Sequence, residues 1–525
     1  MKKLLLSLTL CALALFLCPA AQAATWYVDS TATGSNNGTS WANAWTNIDQ
    51  INGVGVGDVV YISGGPSGST RTYTMTNYWK PAGGTVSSRI TYQIGQDAAH
   101  NGTAIFNAVT PGATWIDLSN ETPSSNINIS GDAGDGLMHF KLVGYGSAIY
   151  SDKVSNFHIS YIDASSGIGD GGALFENPNP SGVEIDHWNV LVSDMNADRF
   201  MFALFNGSTW DAGGSIHHCT IKVPTLANGV GADALQWVGS GFSIHDNLII
   251  GYLANYTGNQ HQDGWQAGGG SYIKIYNNTF VGISNYAIYG ESAGGGYSHV
   301  RVYNNIVYGP GGGGIVFSSS QLDATMDDVL IANNIVVDDV SQPYVFIFYG
   351  KTITGANDAV RNNISVNNNN SSDYWIDDPR IANTNNVQLT STQAAADFVN
   401  YTPNNWSNDD LHLRSAASAL INAGVSLSSY FTTDKDGNAR PSTGPWDIGA
   451  YEYVPLVIYG DVSGNGSITA YDAALAAQYA VALITLSDEQ ITKADVSGNG
   501  SVSAYDATLI AQRAVGLISK FPIEG

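Results

Sequence analysis

Once its first 23 residues are set aside, this 525-residue chain keeps only Cys219 of its three cysteines, so no disulfide can form within it. Those 23 residues read as a secretory signal: Lys2 and Lys3, an apolar run from Leu4 to Cys18, then Ala21-Gln22-Ala23 as a small-residue cleavage site. An exported chain without disulfide staples has to be held by a long core. Basic residues are scarce, with 20 Lys and Arg against 44 Asp and Glu, and the net charge of −24 becomes −26 when Lys2 and Lys3 are removed. Such a surface repels phosphate and speaks against nucleic acid as a partner. After the signal no apolar run is long enough to span a membrane. Helical periodicity is also missing through most of the chain, where short β-branched and aliphatic alternations are broken by Gly and Asn.

What is present, from residue 157 to residue 366, is one returning phrase. It reads Phe157-His-Ile-Ser-Tyr-Ile, Ile185-Asp-His-Trp-Asn-Val, Ile216-His-His-Cys-Thr-Ile and Ile244-His-Asp-Asn-Leu-Ile. It then tightens into Ile275-Tyr-Asn-Asn-Thr-Phe, Val302-Tyr-Asn-Asn-Ile-Val, Ile331-Ala-Asn-Asn-Ile-Val and Val360-Arg-Asn-Asn-Ile-Ser. The fourth residues, at 160, 188, 219, 247, 278, 305, 334 and 363, lie 27 to 31 apart, and a period near 30 in strand-forming sequence predicts a solenoid. Stacked at the spacing of paired strands, about 4.8 Å, Asn247, Asn278, Asn305, Asn334 and Asn363 would form a ladder. Their amides can hydrogen-bond along the stack, and Asn tolerates the left-handed backbone of a sharp corner.

This pattern resembles the right-handed parallel β-helix family, the pectate-lyase-like proteins, whose coils carry Asn ladders at a bend. The resemblance implies an all-β solenoid over residues 24–453. Trp26-Tyr-Val-Asp, Trp41, Trp45 and Gly57-Asp-Val-Val-Tyr-Ile resemble the usual opening of secreted members, with Trp45 to Ile51 as a short helix capping the first coil. Asp410-Leu-His-Leu, Asp434-Lys-Asp-Gly-Asn-Ala-Arg-Pro and Asp447-Ile-Gly-Ala-Tyr-Glu resemble the closing signature of such helices, and we read them as architecture.

A linker at 454–458 leads to a different unit over 459–525. Gly460-Asp-Val-Ser-Gly-Asn-Gly-Ser-Ile-Thr-Ala-Tyr-Asp returns 34 residues later as Ala494-Asp-Val-Ser-Gly-Asn-Gly-Ser-Val-Ser-Ala-Tyr-Asp, each followed by an apolar helical run. Oxygen-bearing residues fall at loop positions one, three, five, seven, nine and twelve, with Gly at six, the EF-hand arrangement for calcium. The first set is Asp461, Ser463, Asn465, Ser467 through its carbonyl, Thr469 and Asp472; the second is Asp495, Ser497, Asn499, Ser501, Ser503 and Asp506. The module resembles type I dockerins, which fold around two calcium ions and bind cohesins. Ser463 and Ser497 depart from that family's Asn or Asp at position three, and Asn465 and Asn499 from its Asp at position five, so weaker calcium affinity is expected. The resemblance gives partner selection to Ala470 and Tyr471 in one loop and Ala504 and Tyr505 in the other.

In the solenoid, Gly231-Ala-Asp-Ala-Leu-Gln-Trp and Gln260-His-Gln-Asp-Gly-Trp-Gln place Asp233 and Asp263 30 residues apart, each three before a Gln. The spacing predicts two carboxylates stacked about 5 Å apart, flanked by His261, Gln236, Gln266, Trp237 and Trp265, with Tyr286, Tyr289 and Glu291 on the following coil. Two carboxyls that close cannot both ionise freely, which suits acid and base work in glycoside hydrolysis, and Trp faces suit sugar rings. Asp263-Gly-Trp also resembles the Asp-Gly phrase of β-helix polygalacturonases. The first reading is therefore a secreted glycoside hydrolase, monomeric and acting on a polysaccharide through Asp233, Asp263 and His261. A polysaccharide lyase or a non-catalytic carbohydrate-binding helix are the alternatives. His187, His218 and Asp246, in one column beside His217 and His245, offer metal-ligand types, but without a distinctive ligand spacing they read as turn packing.

Overall fold

The computed structural model describes residues 23–118, 125–151, 154–168, 171–175, 181–192, 202–205, 213–223, 233–238, 240–251, 262–291, 296–318, 325–338, 346–349, 352–353, 357–367, 374–376, 378–415, 417, 419–454 and 457–524. The secretory segment, His261 and the side chain of Trp237 lie outside them. Two compact units result, one up to Glu452 and one from Tyr453.

The first unit is a parallel β-solenoid. Its strands form a 25-stranded and a 10-stranded sheet, every strand pairing within them is parallel, and a two-stranded antiparallel pair, Phe398–Asn400 with Asp410–Leu413, lies outside. Each coil contributes the same apolar residue to one inward column: Ile159, Ile185, Ile216, Ile244, Ile275, Val302, Ile331 and Val360 pair in succession and are fully buried. Burying such a side chain is worth roughly 1.5–3 kcal/mol, so the stack replaces the disulfides the chain cannot make. The cap segment before the second coil is a single 3-10 turn, Ile48–Gln50, with Trp45 and Ile48 buried beneath it.

The Asn ladder is present and longer than predicted. Each Asn from Asn247 to Asn363 receives the backbone N–H and side-chain amide of its predecessor where that predecessor is an Asn, and Asn386 extends the run by one rung. Two details differ from the sequence reading. Ile162, not Ser160, pairs with Trp188, so the first phrase is displaced by two residues. A two-residue slip keeps every side chain on its own face and is invisible to an alternation pattern. The left-handed corner also falls one residue before the ladder, on Tyr161, His187, His218, Asp246, Asn277, Asn304, Asn333, Asn362 and Asn385, with φ between 53° and 59°.

That corner column is a track for the end of the unit. Asn385 donates to the Ala423 carbonyl at 2.8 Å, Asn362 to Val425 at 2.9 Å, Asn333 to Asp447 and Gly449 at 2.9 and 3.0 Å, and Asn304 to Thr433 at 2.9 Å. Lys435 bonds the Asn277 carbonyl, and the buried Arg440 reaches Asn304 at 3.0 Å and Glu452 at 2.6 Å. Residues 423–452 thus form a strap over the later coils, and the closing signature supplies it.

One core column holds a charge. Asp358 stands in line with Ile273, Val300, Val329 and Ile381 and is fully buried; its Oδ1 accepts from Val329 N at 2.8 Å, while Oδ2 has no partner among the described residues. Burial, with Asp327 and Asp328 adding to it, raises its carboxyl from 3.8 to about 6. A folded pKa above the unfolded one gives stability that is complete below pH 3.8 and lost as pH rises through 6. Asp358→Asn is therefore expected to stabilise the solenoid by about 1–3 kcal/mol at pH 7, with the gain vanishing below pH 4, as read from urea midpoints at the two pH values.

Candidate functional site

The 10-stranded sheet carries the polar residues that the spacing singles out. Strand Leu235–Val238 pairs with Trp265–Ala267, which pairs with Tyr286–Glu291, and that strand pairs with Gly313–Ser318. Gln236, Gln266 and Tyr289 fall in register as one row across three coils, and Glu291 lies opposite Ser318. Period-two alternation along each strand puts such a row on one face.

Asp233 and Asp263 do stack as the 30-residue spacing predicts. Asp233 Oδ1 accepts from Asp263 N at 2.8 Å, and Asp263 Oδ1 accepts from Tyr286 N and Asn285 Nδ2, each at 2.9 Å. This is a repeated corner bond, one carboxylate holding the next coil's backbone amide. Asp233 is 4 % exposed and Asp263 0 %. Trp265 does not shape a sugar site: it is fully buried in the solenoid core, 6.4 Å from the Phe317 ring. The sequence reading missed this because a Trp beside Asp and Gln looks like a platform, whereas its strand position points inward.

The accessible chemistry lies one coil further on. Gln266 Nε2 donates to Glu291 Oε2 at 2.9 Å, and the Tyr286 and Tyr289 rings sit 4.8 Å apart. Burial first, then the charge of Glu291, pushes the Tyr289 phenol well above its ordinary range, with Tyr286 and Asp263 adding to the shift and Ser318 opposing it through a hydrogen bond. Tyr289 therefore stays a donor at any working pH. Glu291, Tyr289 and Gln266 are a carboxylate, a phenol and an amide that can meet sugar hydroxyls, and Gln236 Oε1 has no partner among the described residues.

The 25-stranded sheet holds a second polar group. His158 contacts Asp186 through Nε2, His187 contacts the other oxygen of Asp186, and His217 Nε2 lies 3.3 Å from Glu184 Oε1. His187 stacks on Tyr161 and His218 along the left-handed corner. Burial works against the Asp186 carboxylate, yet its hydrogen bonds from His158 and His187 hold it below the usual range.

In the second unit the two loops are near copies. Asp461 takes Asn465 N at 3.0 Å and Gly466 N at 2.8 Å; Asp495 takes Asn499 N at 3.2 Å and Gly500 N at 2.7 Å. Gly466 and Gly500 sit at φ 83° and 82°, where a side chain would be strained. Asp472 and Asp506 close the loops from the first turns of helices Ala470–Ala480 and Ala504–Ala514. Both are fully buried, and no Lys or Arg pairs with either among the described residues. Against the desolvation of burial, bonds from Thr469 and Ser463 hold Asp472 low, and bonds from Ser497 and Ser503 hold Asp506 low. Anionic carboxylates gathered around a glycine turn fit a calcium ion.

Residues 459–513 match the family described as the dockerin type I domain. This segment is a type I dockerin domain. Such domains bind calcium and imply a cohesin partner. Tyr471 and Tyr505 are exposed, as are three further exposed residues in each copy of the dockerin: Ala470, Val481 and Leu483 match Ala504, Val515 and Leu517. The sequence reading found the tyrosines and missed the two apolar residues past each helix, whose 34-residue spacing was available as a signal.

No curated protein sequence matches the chain. Among solved structures, the chain is similar to pectate lyase Pel9A at 17% identity, with 83% of this chain and 98% of that one covered and a TM-score of 0.36. It is also similar to a rhamnogalacturonan lyase, at 14% identity, 75% and 97% coverage and TM-score 0.42. A PL6 family polysaccharide lyase from Pseudopedobacter saltans gives 14%, 70% and 95%, and 0.39. The solenoid assignment rests on the strand register itself. No helix among the described residues is long and apolar enough to cross a membrane.

Proposed function

We propose that the protein is an extracellular polysaccharide-degrading component, attached to a cohesin-bearing scaffold or surface through its dockerin, with the β-solenoid as the unit that meets the polysaccharide. The dockerin match at 459–513 carries this reading, because a dockerin delivers whatever precedes it to a cohesin. Within the solenoid, the row of Gln236, Gln266 and Tyr289 with Glu291 supports a sugar-facing strip.

The reaction we propose is glycosidic hydrolysis. Relative to the sequence reading, the group that reaches substrate moves from the Asp233 and Asp263 pair to Glu291. Each Asp spends an oxygen on a backbone amide, and the enclosed Asp263 fixes the corner from which Tyr286 and Tyr289 are presented. Glu291 supplies one carboxyl of the acid and base pair that glycoside hydrolysis uses, the acid that protonates the leaving oxygen, while Tyr289 and Gln266 donate to sugar oxygens.

The test incubates the full chain with a panel of polysaccharides and follows both reducing ends and the ultraviolet absorbance of unsaturated uronates. Hydrolysis yields reducing ends alone. Both signals together would make the protein a lyase, and binding without either would make it a carbohydrate-binding module. On a cleaved substrate, Glu291→Gln is expected to lower turnover by about 100-fold or more with the fold unchanged.

A further inference from the structure

We propose that the outward face of the 25-stranded sheet binds one divalent transition metal of the zinc class through His158, Glu184, Asp186 and His217. Three successive coils build the site. His158 pairs directly with Glu184, and Asp186 pairs directly with His217, in parallel strands. Phe157, Ile159, Val183 and Ile185 alternate with them and are buried, so the four polar side chains project from the opposite face. Each of His158, Glu184 and Asp186 offers one ligand atom, and these atoms lie within 4.8 Å of one another. His217 Nε2 stands outside that three-atom cluster but only 3.3 Å from Glu184 Oε1, close enough to be drawn onto the ion as a fourth donor.

The donor set selects the metal. Two imidazole nitrogens with two carboxylate oxygens favour zinc, copper or nickel over calcium and magnesium, which prefer oxygen alone. Two carboxylates neutralise a divalent ion, and no Lys or Arg pairs with either of them among the described residues. Glu184 is the most exposed of the four side chains, so it can close onto an ion without moving the backbone.

A supporting ring of histidines surrounds these donors. His187 Nδ1 holds the second oxygen of Asp186. His218 Nδ1 lies 2.8 Å from His217 Nδ1, which leaves Nε2 of His217 as the ligating atom, and His245 stacks on His217 with centroids 4.7 Å apart. Outer partners of this kind orient metal-binding imidazoles. The strap leaves this region uncovered: its hydrogen bonds to the corner column run from Asn277 to Asn385, and among the described residues the earlier corners at His187, His218 and Asp246 make none with it.

The experiment uses the full chain in excess calcium, so that the dockerin loops are filled, and titrates zinc by calorimetry. One equivalent is expected to bind, and the solenoid's melting temperature to rise, because an ion held by three coils stabilises the folded state alone. His158→Ala and His217→Ala should each weaken binding by at least about tenfold, with circular dichroism unchanged. His217→Gln serves if the alanine variant misfolds. His412→Ala removes the separate histidine that contacts Asp410 and Asp436, and should leave zinc binding as it was. Cobalt substitution should give visible d–d bands that the His158→Ala variant loses. Absence of binding at micromolar zinc, retention of full affinity in the His158 and His217 variants, or loss of it in His412→Ala would each overturn the proposal.

Discussion

A calcium chelator is expected to abolish the helical far-ultraviolet signal of residues 453–525 and their cohesin binding, while the solenoid's melting transition stays where it was. The reason lies in the dockerin core. Of the nine buried residues of its core, four are alanines and only Leu509, Ile510 and Phe521 are large, and below about 70–80 residues such a core rarely supplies enough stability by itself. Asp472 and Asp506 stay anionic through bonds from their own loops, and Asp461 and Asp495 bring a second carboxylate to each turn, so a cation relieves the repulsion gathered there. Metal binding and folding are therefore coupled. We propose one ion per loop. Asp472→Ala and Asp506→Ala should each weaken binding at their own loop by about 100-fold or more and leave the other loop titratable. Calorimetry counts the sites: two in the parent, one in each variant. Equal losses at both loops from either substitution would show that the loops are a single cooperative site.

Asn305→Ala is expected to destabilise the solenoid by about 3 kcal/mol or more, measured as a fall in the urea midpoint at constant slope. Asn305 is fully buried and is the third of six rungs. Its Nδ2 reaches the Ile275 carbonyl at 2.8 Å and Asn334 Oδ1 at 3.0 Å, and its Oδ1 receives Asn278 N and Nδ2 at 3.0 Å each. Alanine leaves donors and acceptors of three coils unmade with no water at hand, and each such group costs about 1–3 kcal/mol. Asn305→Asp keeps the acceptors and loses both donors, so it should be harmed as well. A loss under 1 kcal/mol would mean that the rungs are decoration.

The architecture was legible because a solenoid writes its period into the chain. Ile216, Ile244, Ile275, Val302, Ile331 and Val360 hold one column, and the adjacent Asn residues mark one corner, so spacing alone placed the ladder. Ser160 was misplaced because a two-residue slip changes no face. Depth was harder to read than register. Asp233 and Asp263 were placed on each other by spacing, but no pattern in sequence distinguishes a carboxylate that holds a backbone amide from one that meets a sugar. Trp265 was read as outward for the same reason. The dockerin was legible because its signature, the order of oxygen-bearing residues and glycines within twelve positions, is a local property. The strap was not: Asn304 with Thr433 and Asn277 with Lys435 join residues 129 and 158 positions apart, and nothing periodic announces such a pairing.

That strap bears on how a tethered protein resists pulling. A stack of coils in contact only with their neighbours can peel from its free end, one coil at a time, under modest force. Here the chain leaves the solenoid at Glu452, so tension arriving from a held dockerin reaches the strap before it reaches any coil. Arg440, Asp447 and Gly449 sit next to that exit and are bonded to coils centred on Asn304 and Asn333, well inside the stack. Force is spread sideways across several rungs, which must shear together, and the terminal coil around Asn386 is spared. Anchoring by the C-terminus thus grips the stack of coils along its flank, so a load on the dockerin is carried by several coils at once.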